Sequence, residues 1–70
     1  MRYQLKPSQV AKWVEGLRIM KGDDETAHSR EDEIHYEVLL AIAEDRCEDS
    51  VECARLATTT VHIEFSRWCA

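Results

Sequence analysis

Glycine and proline are scarce in this chain of 70 residues, with two of the first and one of the second, and neither occurs between Ser29 and Trp68. That leaves a long stretch without helix breakers. Long apolar runs are missing too: none approaches the roughly 20 residues that span a bilayer. The opening Met1-Arg2-Tyr3-Gln4-Leu5-Lys6 has no apolar core of the kind a signal peptide carries. The cysteines Cys47, Cys53 and Cys69 include no tight pair, and an odd count without a leader reads as reduced thiols rather than a disulfide framework. A cytoplasmic protein, without contact to membranes, is expected. No nucleotide-binding, metal-binding or catalytic motif is present.

What is present describes a folded chain. Apolar residues make up 44%, too many for a disordered segment, and the 33% that are charged suit a helical protein with a solvated face. Seventy residues make one domain, 1–70, whose core alone supplies about 3–5 kcal/mol, so further support is expected from assembly. The net charge of −5 hides a segregated layout. Residues 1–21 carry five cations against Glu15, whereas residues 22–53 carry twelve carboxylates against Arg30 and Arg46. A basic first helix beside an acidic second one attracts, within a chain or between two chains.

Periodicity places the helices. Pro7 and Ser8 mark a start, with Ser8 as N-cap, and Val10, Trp13, Val14, Leu17 and Met20 form one stripe that Gly22 closes. Residues 23–28 read as a polar connection, followed by a cap at Ser29 with Asp32. The run Val38-Leu39-Leu40-Ala41-Ile42-Ala43 is apolar on two sides. Ile34, Val38, Ala41 and Ile42 lie on one, and Tyr36, Leu39, Leu40 and Ala43 on the other. One further helix of this chain covers only one of them, so a second neighbour is expected from another molecule.

The polar cluster 44–50 invites a break, and Asp49 with Glu52 makes a new N-cap. Against a break, Leu40, Ala43, Cys47, Val51, Ala54, Thr58, Val61, Phe65 and Trp68 continue at steps of three and four, the seam of one long helix or of two nearly collinear ones. The resulting expectation is an all-α helical hairpin or three-helix chain, about 8–21, 30–47 and 50–67, dimerising into a bundle. The alternation of Val61, Ile63 and Phe65 supports an alternative α+β fold with strands near 2–6 and 60–66.

Candidate chemistry is thin. His28, His35 and His62 with the three cysteines raise the possibility of zinc, but Cys47 and Cys53 are six apart, on nearly opposite sides of a helix, and buried free thiols are the better reading. No metal or cofactor is expected. His35 is the one histidine inside the central apolar segment; a partly exposed helix histidine is the better reading, with titration at an interface as the alternative. Ser8-Gln9-Val10-Ala11-Lys12 resembles the opening helix of helix-turn-helix domains, yet Glu15 stands where that pattern wants glycine and the following 22–25 is acidic, so direct nucleic-acid binding is rejected. Carboxylates in runs on an outer face do not make a catalytic cleft, and an enzyme is not expected.

The leading functional expectation is a small non-enzymatic adaptor or inhibitor that binds another protein. Short, acidic, motif-free chains of this kind look like accessory proteins of phages and mobile elements, which act on a host regulator or defence enzyme. Its expected contacts are Tyr36, Val38, Leu39, Leu40 and Ile42 with the anchors Trp13 and Trp68, used for a homodimer or for the partner. The alternative is an acidic decoy that occupies the basic surface of a DNA-binding regulator or nuclease through Glu37, Glu44, Asp45, Glu48, Asp49 and Glu52.

Overall fold

A computed structural model describes residues 4–20 and 23–65. The chain is all-α there: α1 is Pro7–Ile19, α2 is Asp24–Ala43 and α3 is Ser50–Thr58, continued by a single 3-10 turn, Thr59–His62. The three helices pack against one another pairwise.

Helix α1 begins one residue before the expected cap, with Pro7 at its first position and Lys6 as a backbone-only N-cap. Proline suits that position because its missing N–H is one the helix leaves unpaired anyway. The predicted stripe holds: Val10, Val14 and Leu17 are buried, with Trp13 and Met20 half-buried beside them. The predicted cap at Gly22 lies outside the described residues.

Helix α2 starts six residues earlier than the sequence reading placed it. Asp23 is the N-cap, its carboxylate accepting from the Thr26 N–H at 3.3 Å, and Asp24 and Glu25 put negative charge at the positive end of the helix dipole. The buried phase runs Ala27, Glu31, Ile34, Val38, Ala41. A carboxylate at the second of these positions is what hid the first turns from an apolar count.

The break after Ala43 is real, which removes the long collinear seam. Helix α2 ends in a Schellman motif, with Asp45 in the left-handed region at φ 54, its N–H donating to the Ile42 carbonyl and the Arg46 N–H donating to that of Ala41. Two residues after Cys47, Asp49 caps α3 by accepting from the Glu52 N–H at 3.1 Å, as its spacing predicted.

Between the two caps the chain is pinned to the N-terminal arm. Leu5 donates to the Arg46 carbonyl and accepts from the Glu48 N–H, both at 2.8 Å, forming an isolated parallel bridge to Cys47. The alternative fold with strands near 2–6 and 60–66 is thereby corrected: Leu5 pairs with 47, and no strand occurs among the described residues. Its fully buried side chain enters the core alongside α1 and α2.

Helix α3 stops at Thr58, short of the expected 67. Thr58 and Thr59 turn their hydroxyls back onto the Arg55 and Leu56 carbonyls at 2.8 and 2.6 Å, offering those acceptors an alternative to the α-helical ladder, and the chain tightens into the 3-10 turn. Burial here follows Cys53, Ala57, Thr60 and Ile63, a different phase from the predicted seam.

Candidate functional site: an apolar groove between α2 and α3

The buried phase of α2 accounts for only one of its two apolar sides. Val38 is 2% exposed and belongs to the core, while its neighbour Leu39 is 66% exposed and Tyr36 is 61% exposed. Val51 on α3 and Val61 in the 3-10 turn that continues it are likewise open, at 80% and 65%. Val51, Ala54, Thr58 and Val61 recur at steps of three and four, so they share one side of α3 and its continuation. This part of the expected core seam, exposed at Val51, Thr58 and Val61 and half-buried at Ala54, therefore faces outward.

The uncovered sides of the two helices face a common groove. His35, Val38, Leu39 and Ile42 from α2 and Ala54, Ala57 and Thr58 from α3 enclose about 210 Å³, with Val38 and Ala57 as its buried floor. No residue of α1 lines it, so it opens on the side that α1 leaves free. The alanines and Thr58 are small, which is what leaves the space.

His35 sets the spacing of the two walls. Its Nε2 lies 2.9 Å from the Thr60 Oγ1 and 3.1 Å from the Ala57 carbonyl oxygen. A carbonyl only accepts, so Nε2 carries a hydrogen and donates, tying α2 to the junction of α3 with the 3-10 turn. Thr60 is fully buried. The imidazole is therefore a strut rather than a free base facing solvent.

The expected contact residues divide among several places. Leu39 and Ile42 form groove wall, and Val38, which belongs to the core, is the floor beneath them. Leu40 is half-buried and does not line the groove. Tyr36 lies round the helix toward Trp13, and with Arg30, Glu33 and Glu37 these two line a second, more polar hollow. Arg30 sits 5.7 Å from the centre of the Trp13 ring, within cation–π range, and donates to Glu33 at 3.2 Å. Trp68 lies outside the described residues.

The acidic set is also divided. Asp49 is used as a cap, Glu44 accepts from Arg46 Nε at 2.7 Å, and Glu52 accepts from Arg55 Nε at 2.8 Å. The Arg55 guanidinium holds the Glu52 carboxyl below its ordinary value. Glu37, Asp45 and Glu48 remain, with Glu25, as carboxylates for which the described residues provide no ion pair.

The cysteines are arranged differently from expectation. The break at 44–49 swings Cys47 beside Cys53, rather than to the opposite side of a continuous helix, and burial together with that neighbouring thiol pushes the Cys53 thiol up to about 12. Among the described residues no three histidine, cysteine or carboxylate side chains gather as metal ligands. No helix among them is long and apolar enough to cross a membrane. Comparison of the chain with protein families, with curated proteins and with solved structures finds no match.

Sequence reasoning missed the groove itself, because it places Ala54 and Thr58 in the seam of one long helix or two nearly collinear ones and gives Ala57 no role. The available signal was that α3 carries apolar or small residues in two phases, the same two-sidedness already noticed in α2.

Proposed function

We propose that the chain is a non-enzymatic protein-binding module that engages its partner through the groove between α2 and α3. The observation that carries this reading is the exposure of Leu39, Val51 and Val61 around a groove whose lining is apolar apart from a hydrogen-bonded imidazole and one threonine. Large side chains left in water around a common concavity are the mark of an unoccupied contact. The volume points the same way: about 210 Å³ falls below the roughly 300 Å³ at which small-molecule sites begin, and suits an inserted side chain. An adaptor or inhibitor of the kind carried by phages and mobile elements, directed at a host regulator or defence enzyme, agrees with the size and charge of the chain. Homodimerisation through the same face is its self-directed form.

The acidic-decoy reading is weaker. It needs a continuous row of free carboxylates, and three of the six assigned to it serve a cap or an arginine of the same chain.

Site-specific photocrosslinking tests the proposal. With benzoylphenylalanine at position 39, discrete adducts are expected in the native host, and the same group at the exposed Lys12 on α1 should give none of them. An adduct at twice the chain mass would identify a second copy. Equal adducts from both positions, or none from either, would contradict the assignment of the groove.

A further inference from the structure

Resting on that reading, we propose that the occupant of the groove is a basic amphipathic α-helix of another protein, docking as the fourth helix beside α1, α2 and α3. Three observations converge on it. The first is shape: the groove runs between two helices on the side without α1, which is the vacant position of a four-helix arrangement. Its small wall residues, Ala54, Ala57 and Thr58, leave a slot that receives a large side chain from a facing helix.

The second is charge. The solvent side of α2 beyond Leu39 presents Glu25 and Asp32, and the connection at its far end presents Asp45 and Glu48, all exposed. The arginines of these elements are already engaged: Arg30 with Glu33 and Trp13, Arg46 with Glu44, and Arg55 with Glu52. Asp32 lies 3.6 Å from His28 Nδ1, while Glu25 at one end of the apolar stripe and Asp45 and Glu48 at the other have no ion pair among the described residues, so both ends are negative. Lysines or arginines flanking an apolar stripe complement that surface, steering encounter and fixing orientation.

The third weighs against the obvious competitor. A second copy related by a two-fold axis would set this face against itself, so that the negative rims of the two copies approach one another, and like charges across an interface oppose association. The groove fits a helix, and its rim selects a helix of opposite sign.

The test uses two fluorescein-labelled synthetic helices of about 18 residues, five turns, with identical leucine stripes at i, i+4, i+7 and i+11, one flanked by lysine and arginine and its twin by glutamate. The intact chain is titrated into each and followed by fluorescence anisotropy, with native mass spectrometry for stoichiometry. Expected are one-to-one binding of the basic helix, binding at least about tenfold weaker for the acidic twin, and a loss of comparable size in 0.5 M salt. Ala54→Trp, which fills the slot from a half-exposed position, should abolish binding while leaving the helical circular-dichroism signal unchanged. Equal affinity for both helices, or binding indifferent to Ala54→Trp, would overturn the inference. If neither helix binds and the chain is a dimer that Ala54→Trp dissociates, the occupant is a second copy: this inference falls and the protein-binding reading stands. If neither binds and the chain is monomeric at every concentration, both fall.

Discussion

Cys53 and His35 show how much of this small structure depends on single polar groups held at the boundary of the core. Burial, with the neighbouring Cys47 thiol adding to it, raises the Cys53 thiol from an ordinary 9.0 to about 12, so the folded chain holds that proton where the unfolded chain releases it. Stability is therefore intact below pH 9 and falls as pH climbs from there toward 12, because thiolate formation favours the unfolded state. Cys53→Ala should remove this alkaline loss. In native protein at pH 8, iodoacetamide should modify Cys47 and spare Cys53 until urea exposes it, as site-resolved mass spectrometry would report. His35→Ala should cost about 1–2 kcal/mol in urea unfolding, since it removes the donor shared by Thr60 and the Ala57 carbonyl. His35 was legible in the sequence as a residue within the apolar segment, but not as a strut, because its acceptors lie more than twenty residues away.

At the level of elements, the helix ends were written locally and were legible where the signal was a side-chain cap. Asp49 with Glu52 was read correctly because the carboxylate and the amide it serves are three residues apart. Asp23 does the same for Thr26 but was passed over, since the polar run after it resembles a loop and Glu31 interrupts the apolar phase that would have shown it to be helix. Asp23→Ala and Asp49→Ala should each cost about 1 kcal/mol, measured as a shift of the urea midpoint with unchanged slope. Asp45 offers the opposite sign: an L-residue in the left-handed region of a Schellman motif stands where glycine is relaxed, so Asp45→Gly should stabilise by about 0.5–1 kcal/mol. The end of α3 was not legible as a length. Three threonines signal strand by propensity, and only the competition of their hydroxyls for nearby carbonyls decides for a 3-10 turn.

On the scale of the whole molecule, the all-α class and the two-sided character of α2 follow from periodicity, whereas the groove depends on where α3 lies once the chain breaks at 44–49. A period of three and four places Val51, Ala54, Thr58 and Val61 together on one side. It does not say whether that side faces α1 or water. The core is small, built from Leu5, α1, one side of α2 and one side of α3, and a chain of this size lives near its stability limit. The exposed Leu39 and Val51 on the open sides of α2 and α3 lie outside that core, which is the basis for assigning those sides to a partner. Neighbouring residues on α2 therefore have opposite duties, and paired substitutions separate them. The direct measurement is urea unfolding of Val38→Asp and Leu39→Asp, followed by circular dichroism. Val38→Asp buries a charge without a partner, at a cost of about 3–5 kcal/mol, and should leave the chain unfolded. Leu39→Asp should unfold within about 0.5 kcal/mol of the parent chain while abolishing the contacts of the groove. If Leu39→Asp unfolds the chain as Val38→Asp does, the outer side of α2 is part of the folding core, and the division of this helix between core and partner is wrong.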